Sequence, residues 1–363
     1  MKIAILGTRG IPNRYGGFEQ CAEKLALAWA KTGHEVTVYC PAEHPVKGST
    51  WQGVRRRFIP SFEGRLGPWG TLLYDFLCLK DALSADFEVV LNLGYVPAGV
   101  FFPKRRPPLA FVTNMDGLEW KRRKWSWAKR RFARLCEARA AQRSAHLVAD
   151  NPGIQEHLER TYGVHNITYI PYGAEIPPPP EPTFLREFGL SPYGFYLLIA
   201  RLEPENNIAT ILDGYLRSGV REPFLVVGGL TTPYARELVR RFARREGIRF
   251  CGAIYDYSKL STLRHFARLY FHGHEVGGTN PSLLEAMAAG ALIVAHDNVF
   301  NRYVLGEEGF YFSNPEEVAR IIRHHDQGLR PLFAEKNLAK IKHHYRWDKV
   351  SQAYLALFKR LLT

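Results

Sequence analysis

The stretch HGHEVGGTNPSLLEAMAAG (272–290) holds the densest set of chemistry-bearing residues in the chain. Gly277, Gly278, Thr279 and Asn280 place backbone and side-chain donors just ahead of a helix opened by Pro281 and Ser282, which suits a pyrophosphate. Glu285, one turn inside that helix, is positioned to accept from a sugar hydroxyl of a nucleotide. His272 and His274 flank a strand end, where they either contact a donor sugar or serve the core; Glu275 is the nearest carboxylate. Upstream, ARLEPENN (200–207) sets Arg201 at a strand end and Asn206 and Asn207 at a helix start. An arginine there clamps a diphosphate bidentately and offsets the charge of a leaving group.

Near the N-terminus, GTRGIPNRYGGFEQ (7–20) follows a buried-strand pattern. Gly16 and Gly17 fall at a helix start, where backbone N–H groups and the helix dipole favour an anion. Glycines alone fit an empty βα turn equally well; Arg9, Arg14, Tyr15 and Glu19 in the same motif shift the reading toward phosphate, sugar or acceptor contact. Asp116 in TNMDGLEW (113–120) lies at the carboxyl end of a predicted strand. It is placed to bind or deprotonate an acceptor hydroxyl, or else to cap the following helix, and Glu119 shares its loop. The segment WKRRKWSWAKRRFAR (120–134) carries eight Lys/Arg, no acid, one Phe and the tryptophans Trp120, Trp125 and Trp127. That composition suits the headgroup layer of an anionic membrane, nucleic-acid phosphates with base stacking, or a solvated helix face. Three tryptophans are costly on an idle surface, which favours a membrane or partner contact. Arg55–Arg57 and Lys104–Arg106 extend the basic half.

Several chemistries lose their support. The first loop contains neither GxGxxG nor GxxxxGK[ST], so the dinucleotide and P-loop readings lose their main support. No Asp-x-Asp pair occurs to hold a divalent cation on a diphosphate, and no His/Cys/carboxylate group has metal spacing. The five cysteines are scattered without CxxC spacing and read as reduced thiols in a cytosolic protein. No run of apolar residues is long enough for a spanning helix, and the start MKIAILGTRG lacks signal-peptide architecture.

These motifs need strands to carry them, and the sequence supplies strands at regular intervals. Strand patterns at 2–7, 34–41, 87–95, 109–117, 146–151 and 166–174 alternate with helix-like stretches, which predicts βαβ units and a parallel sheet. The proline run IPPPPEP (176–182) then marks a linker. Alternation restarts with strands at 195–202, 224–229, 248–253, 269–273 and 292–297, and helices near 206–217, 232–246, 257–267 and 282–289. An amphipathic tail helix (347–363) follows. The expected architecture is α/β: two Rossmann-like, doubly wound domains facing across a cleft, with ligands beyond the carboxyl ends of the strands. The expected bounds are 1–176 for an acceptor-binding domain and 177–345 for a nucleotide-sugar-binding domain. Residues 346–363 are expected to pack back toward the first.

The 363 residues suit two domains, and 46% hydrophobic with 23% charged residues describes a globular chain. Against 35 Asp/Glu stand 49 Lys/Arg, a net charge of +14 that calls for an anionic partner: nucleic acid, phosphorylated substrate or anionic lipid.

Taken together, GTRGIPxxYGGFE, NMDGLEWKRxKW, ARLEPENN and HGHxVGGTNPSLLEAM resemble the retaining GT-B glycosyltransferases, and more narrowly their bacterial polysaccharide rhamnosyltransferase branch. The resemblance spans roughly residues 1–310. It implies metal-independent transfer of L-rhamnose from dTDP-L-rhamnose to a lipid-linked glycan, by an enzyme peripheral on the cytoplasmic face of the plasma membrane. No cofactor beyond the nucleotide-sugar substrate is implied, and the resemblance weighs against nucleic acid as a partner. The same-class alternative is a UDP-hexose donor; the alternative of another class is a basic nucleic-acid-binding protein. Two departures from the wider pattern stand out. The first of two glutamates separated by seven residues falls on Gly277, which leaves Glu275 as its stand-in. The lysine after RLxPE is Asn206, so one cation expected on the diphosphate is missing.

Overall fold

The computed structural model describes residues 1–14, 16–104 and 108–363, so Tyr15, Arg105 and Arg106 of the readings above lie outside the described residues. The chain divides into two compact units, one of Met1–Lys121, Trp125–Gly173 and Trp347–Thr363, the other of Arg122–Lys124 and Ala174–Arg346.

The first unit is built on an eight-stranded sheet: β1 (Lys2–Leu6), β2 (Glu35–Pro41), β3 (Thr50–Trp51), β4 (Val54–Ile59), β5 (Val89–Leu93), β6 (Ala110–Asn114), β7 (His146–Ala149) and β8 (Ile167–Tyr169). Its order is β3-β4-β2-β1-β5-β6-β7-β8, parallel throughout except for the β3–β4 pair at the edge. The central strands are apolar and buried along their length, as a sheet covered on both faces requires. The covering helices are α1 (Gly17–Lys31), α2 (Glu63–Leu66), α3 (Pro68–Ser84), α4 (Trp127–Arg143) and α5 (Pro152–Tyr162). Winding reverses between β1 and β5, and Gly7 closes that point: it sits at φ +81°, and a Cβ there would come within 2.1 Å of the Leu93 carbonyl oxygen.

The Arg55–Arg57 run corrects one sequence expectation. It forms strand β4, with Arg55 paired to Glu35 and Arg57 to Asp81, while Arg56 turns inward at 5% exposure. The Arg56 guanidinium donates to the carbonyls of Ile11, Val46 and Lys47. This arginine holds loops together and does not belong to a basic surface.

The second unit carries a six-stranded parallel sheet: β9 (Tyr196–Ile199), β10 (Phe224–Val227), β11 (Ile248–Gly252), β12 (Leu269–His272), β13 (Ile293–His296) and β14 (Phe310–Phe312). The order β11-β10-β9-β12-β13-β14 is that of a doubly wound nucleotide-binding sheet, with its switch point between β9 and β12. Its helices are α6 (Ile208–Ser218), α7 (Pro233–Phe242), α8 (Tyr257–Phe266), α9 (Pro281–Ala288), α10 (Val299–Leu305), α11 (Pro315–His324) and α12 (Arg330–His344). The core joins Tyr196, Leu198, Phe224, Val226 and Phe271 of the sheet to Ile211, Leu212, Val318 and Ile322 of the helices. Helix α11 lies so close to α6 that a Cβ on Gly214 would meet Val318 at 2.4 Å.

The last helix, α13 (Trp347–Leu362), belongs to the first unit. Trp29 of α1, fully buried, donates through Nε1 to the Ser351 carbonyl and meets Tyr354 and Phe358 edge-on.

Candidate functional site

In the second unit the two motifs richest in chemistry meet at the switch point. The loop after β9 carries Arg201, Glu203, Glu205 and Asn206; the loop after β12 carries His274 to Asn280. The loops are fastened to each other. Glu275 N–H donates to the Glu205 carbonyl, and Asn207 Nδ2 donates to the Gly273 carbonyl. Gly273 packs so tightly that a Cβ would come within 1.9 Å of the Asn206 carbonyl oxygen. Asn298 and Asn301 both donate to the His274 carbonyl. The path of the loop is thus held by one backbone–backbone hydrogen bond and three from asparagine side chains, in addition to its glycines.

Arg201 is exposed at the strand end. Asn206 is buried and its amide donates to the Arg201 carbonyl, so it shapes the turn. Asn280 caps α9, accepting from Ser282 N–H through Oδ1 and from Leu283 and Leu284 N–H through its carbonyl. The first-turn amides of α9 are therefore committed. An anion at this end would be met by the loop 277–279 and by side-chain cations. Gly277 runs at φ +146°, Gly278 is half-buried and Thr279 is buried. The Ser282 hydroxyl pairs with that of Tyr270 at 2.7 Å.

Glu285 is one-fifth exposed, and its Oε2 lies 2.6 Å from Nη2 of Arg264, a residue only 2% exposed. The carboxylate compensates a buried guanidinium while its other oxygen is available to a ligand hydroxyl. Sequence reasoning missed Arg264, because nothing in YSKLSTLRHF marks an inward arginine. His272 is 1% exposed, stacks on His274 at a 4.6 Å centroid distance, and has no hydrogen bond at either ring nitrogen. Burial, then the charges of Arg264 and His296, pushes His272 down to about 3. Burial, His272, Arg201 and Arg122 push His274 down likewise. Both rings are neutral at pH 7.

Three residues of the basic segment group with this unit. Arg123 Nη2 lies 2.9 and 2.8 Å from the two Glu275 oxygens. Arg122 stands 3.5 Å from Glu205, and Lys124 stands 3.7 Å from Glu203 and 3.9 Å from Glu205.

In the first unit Asp116 lies two residues beyond the end of β6 and is half-buried at φ +49°, a left-handed conformation that non-glycine residues adopt mainly where the surroundings impose it. Its N–H donates to Asn114 Oδ1, and Asn114 Nδ2 donates to the Tyr354 hydroxyl. From the other side Tyr95 holds the loop, its hydroxyl accepting from Glu119 N–H and lying 3.1 Å from the Gly117 carbonyl. That hydroxyl reaches Glu137, which is 1% exposed and also accepts from Trp120 Nε1, Tyr162 and His157. Glu137 was not legible as a site residue.

Other expected site residues are placed differently from their reading. Glu19 is buried and its Oε1 accepts from Arg9 N–H at 2.7 Å, so it fixes the β1–α1 loop and does not face an acceptor. The Arg9 guanidinium pairs with Glu63. Gly16 precedes α1 in extended conformation, without a side-chain cap, and Gly17 is the first residue of α1. Trp120 is half-buried, tied to Glu137 and flanked by Lys121 and Arg134, so its indole N–H serves the fold; Trp125 is half-buried under Lys129, and Trp127 is 71% exposed beside Arg131. An apolar face unnoticed in the sequence runs along α3, where Trp69 (73% exposed), Leu73 and Phe76 repeat at helical spacing. Helices α3 and α4 both pack on the short turn Ala98–Phe101, where Phe76 meets Phe101 at 4.9 Å. Among the described residues no helix is long and apolar enough to cross a membrane, and no group of three or more His, Cys, Asp or Glu could hold a metal ion.

Residues 15–176 match Glycosyltransferase Family 4, and residues 196–325 match Glycosyl transferases group 1. The O-antigen chain mannosyltransferase B of Escherichia coli is 26% identical over 188 residues, 49% of this chain and 49% of that protein. The chain thus aligns with about half the length of that curated relative. Sucrose-phosphate synthase of Thermosynechococcus elongatus superposes with a TM-score of 0.79 at 15% identity, over 99% of this chain and 98% of the other. Anabaena HepE, solved with UDP, gives 0.73 at 16% identity over 99% and 100%. Each half thus resembles a glycosyltransferase family over most of its own length, and the two-sheet α/β fold matches that of GT-B structures, the fold the motifs led one to expect.

Proposed function

We propose that this chain transfers L-rhamnose from dTDP-L-rhamnose to a lipid-linked glycan during cell-surface polysaccharide synthesis, with retention at the anomeric carbon. One observation supports it most. Two motifs more than sixty residues apart, around Arg201–Glu205 and His274–Glu285, come together at the switch point of a doubly wound sheet, where such sheets take nucleotides. The donor diphosphate is assigned to Arg201, the loop 277–279 and the end of α9; the ribose to Glu285; and the transferred sugar to the neutral His274 and to Glu275.

In the reaction the acceptor oxygen forms a bond to the anomeric carbon while the bond from that carbon to the phosphate oxygen breaks, on the same face. The electron pair leaves on the nucleoside diphosphate, stabilised by Arg201, and the acceptor proton passes to a donor phosphate oxygen. Asp116 binds the acceptor hydroxyl; the Tyr95–Glu137 and Asn114–Tyr354 contacts hold its loop. The exposed apolar residues of α3 and α4, with Lys129, Arg130 and Arg131 among them, support docking on an anionic cytoplasmic leaflet.

The E. coli relative is named a mannosyltransferase and HepE holds UDP, so the donor is tested against both classes. A thermal-shift panel of dTDP-rhamnose, dTDP, UDP-glucose, UDP-GlcNAc and GDP-mannose decides it. Ligand at about 100 times Kd stabilises by about 2.7 kcal/mol. Shifts with the dTDP compounds alone support rhamnose; a shift with a UDP or GDP sugar removes rhamnose and keeps glycosyl transfer.

A further inference from the structure

We propose that Arg264 is a positioning residue that sets pentose specificity. It holds one oxygen of Glu285 and leaves the other to read a single hydroxyl, so the site takes a 2′-deoxyribose diphosphate as readily as a ribose one. The inference rests on the nucleotide-sugar reading above, which gives the ribose to Glu285, and deepens it to the kind of pentose.

A carboxylate with both oxygens open accepts two vicinal hydroxyls, one on each oxygen. Glu285 is not open in that way. Nη2 of Arg264 donates to its Oε2 at 2.6 Å, from a side chain only 2% exposed, while the Glu285 side chain keeps 21% exposure. The bonded oxygen is therefore the inward one. Nε and Nη1 of Arg264 make no hydrogen bond, and the Tyr270 ring stands 6.0 Å from the guanidinium carbon, at the limit of a cation–π contact. Among the described residues Glu285 is the one carboxylate paired with this cation. Although burial acts the other way, the Glu285 carboxylate and then Tyr270 raise Arg264 above its ordinary value. Turning Oε2 toward a ligand would strip a buried cation of its counter-charge, which costs more than one ribose hydroxyl returns. Neighbouring hydroxyls leave the second oxygen alone: Tyr257 donates to the Glu175 carbonyl at 3.1 Å, and those of Tyr270 and Ser282 pair with each other at 2.7 Å. One outward oxygen suits the one ring hydroxyl of a deoxyribose, and the extra hydroxyl of a ribose meets no second oxygen of Glu285.

Calorimetric titration of base-matched pairs into the full chain tests this: UDP with dUDP, ribothymidine diphosphate with dTDP, and GDP with dGDP. Each pair isolates the 2′-hydroxyl from the base, and the 2′,3′-dideoxy form of the base that binds best removes the remaining hydroxyl. The wild type should bind both members of a pair within about threefold, and the dideoxy form about tenfold more weakly. Arg264→Met frees Oε2, so the ribose member should then bind about tenfold tighter than its deoxy partner. Arg264→Lys keeps a cation on Oε2 and should restore the wild-type ratio. A role confined to folding would weaken every ligand alike and leave the ratios unmoved. Should Arg264→Met fold poorly, the wild-type ratios alone still decide. A wild-type preference for ribose of about tenfold, or unchanged ratios in a folded Arg264→Met, overturns the proposal and leaves the nucleotide-sugar reading standing. Equal affinity for the deoxy and dideoxy forms takes the pentose away from Glu285, and the proposal with it. Failure of the wild type to bind any pair overturns the nucleotide-sugar reading itself.

Discussion

Acidification should weaken the second unit through His272, and the size of the effect follows from its surroundings. The ring is 1% exposed, stacked on His274, without a hydrogen bond at either nitrogen, and its pKa is pushed down to about 3 from an ordinary 6.5. Between those values the unfolded chain binds a proton at this residue and the folded chain does not. Stability is thus fully present above pH 6.5 and falls as pH drops below it. From pH 7 to pH 5 the loss from His272 alone is about 2 kcal/mol. His274, shifted in the same direction, adds to it. Replacing His272 with Phe removes the titration and keeps a stacked ring, and since no hydrogen bond is lost, stability at pH 7 should stay within about 1 kcal/mol of wild type. Urea unfolding at pH 7, 6 and 5, followed by circular dichroism and by hydrogen exchange of the β12 peptide, reads the difference. With a slope of about 2 kcal/mol/M, the wild-type midpoint should fall by about 1 M more than that of the variant. Subtracting the two cancels the carboxylates that also protonate. Parallel curves for the two proteins would refute the argument.

Three further outcomes are expected. Asp116→Asn, which tolerates the left-handed backbone, should leave nucleotide binding unchanged and slow transfer by about 100-fold or more; transfer at the wild-type rate removes Asp116 from the chemistry. Glu285→Ala strands the buried Arg264 charge and should destabilise the second unit by about 3 kcal/mol, while Glu285→Leu combined with Arg264→Leu recovers most of it; a single variant as stable as wild type contradicts the pairing. Replacing Trp69 and Trp127 with Ser should reduce co-sedimentation with anionic vesicles, whereas Trp120→Phe should not, because Trp120 serves Glu137; equal loss in both would show that the apolar face is misplaced.

Much of this arrangement was legible because its parts are local. Strands such as IAIL, LLIA and LVVG are unbroken apolar runs ended by glycine or a polar loop, and their order along the chain is enough to place the switch-point loops. Strand β4 escaped because three successive arginines read as surface, although alternation sends only Arg55 and Arg57 outward. Strand β14 and helices α10–α12 follow the last recognisable motif and announce themselves weakly, β14 being three residues long. The site residues that escaped are those defined by distant partners. Glu137 sits in a basic helix and matters through Tyr95, Trp120, His157 and Tyr162. The grouping of Arg122–Lys124 with the second unit has no local signature at all.

The hydrogen bond from Asn114 to Tyr354 spans 240 residues of sequence and has a consequence for synthesis. The loop bearing Asp116 is translated early, yet the helix that anchors Asn114 is translated after the whole second unit. At about 5–20 residues per second, roughly 12 to 48 s separate the two on the ribosome. Throughout that interval the nascent first unit exposes Trp29 and the flank of α1 that α13 later covers. The loop bearing Asp116, completed only by the final helix, stays unset until the second unit has been made. A message broken between the end of the second unit and α13 then yields a chain with the second unit whole and the loop bearing Asp116 unanchored.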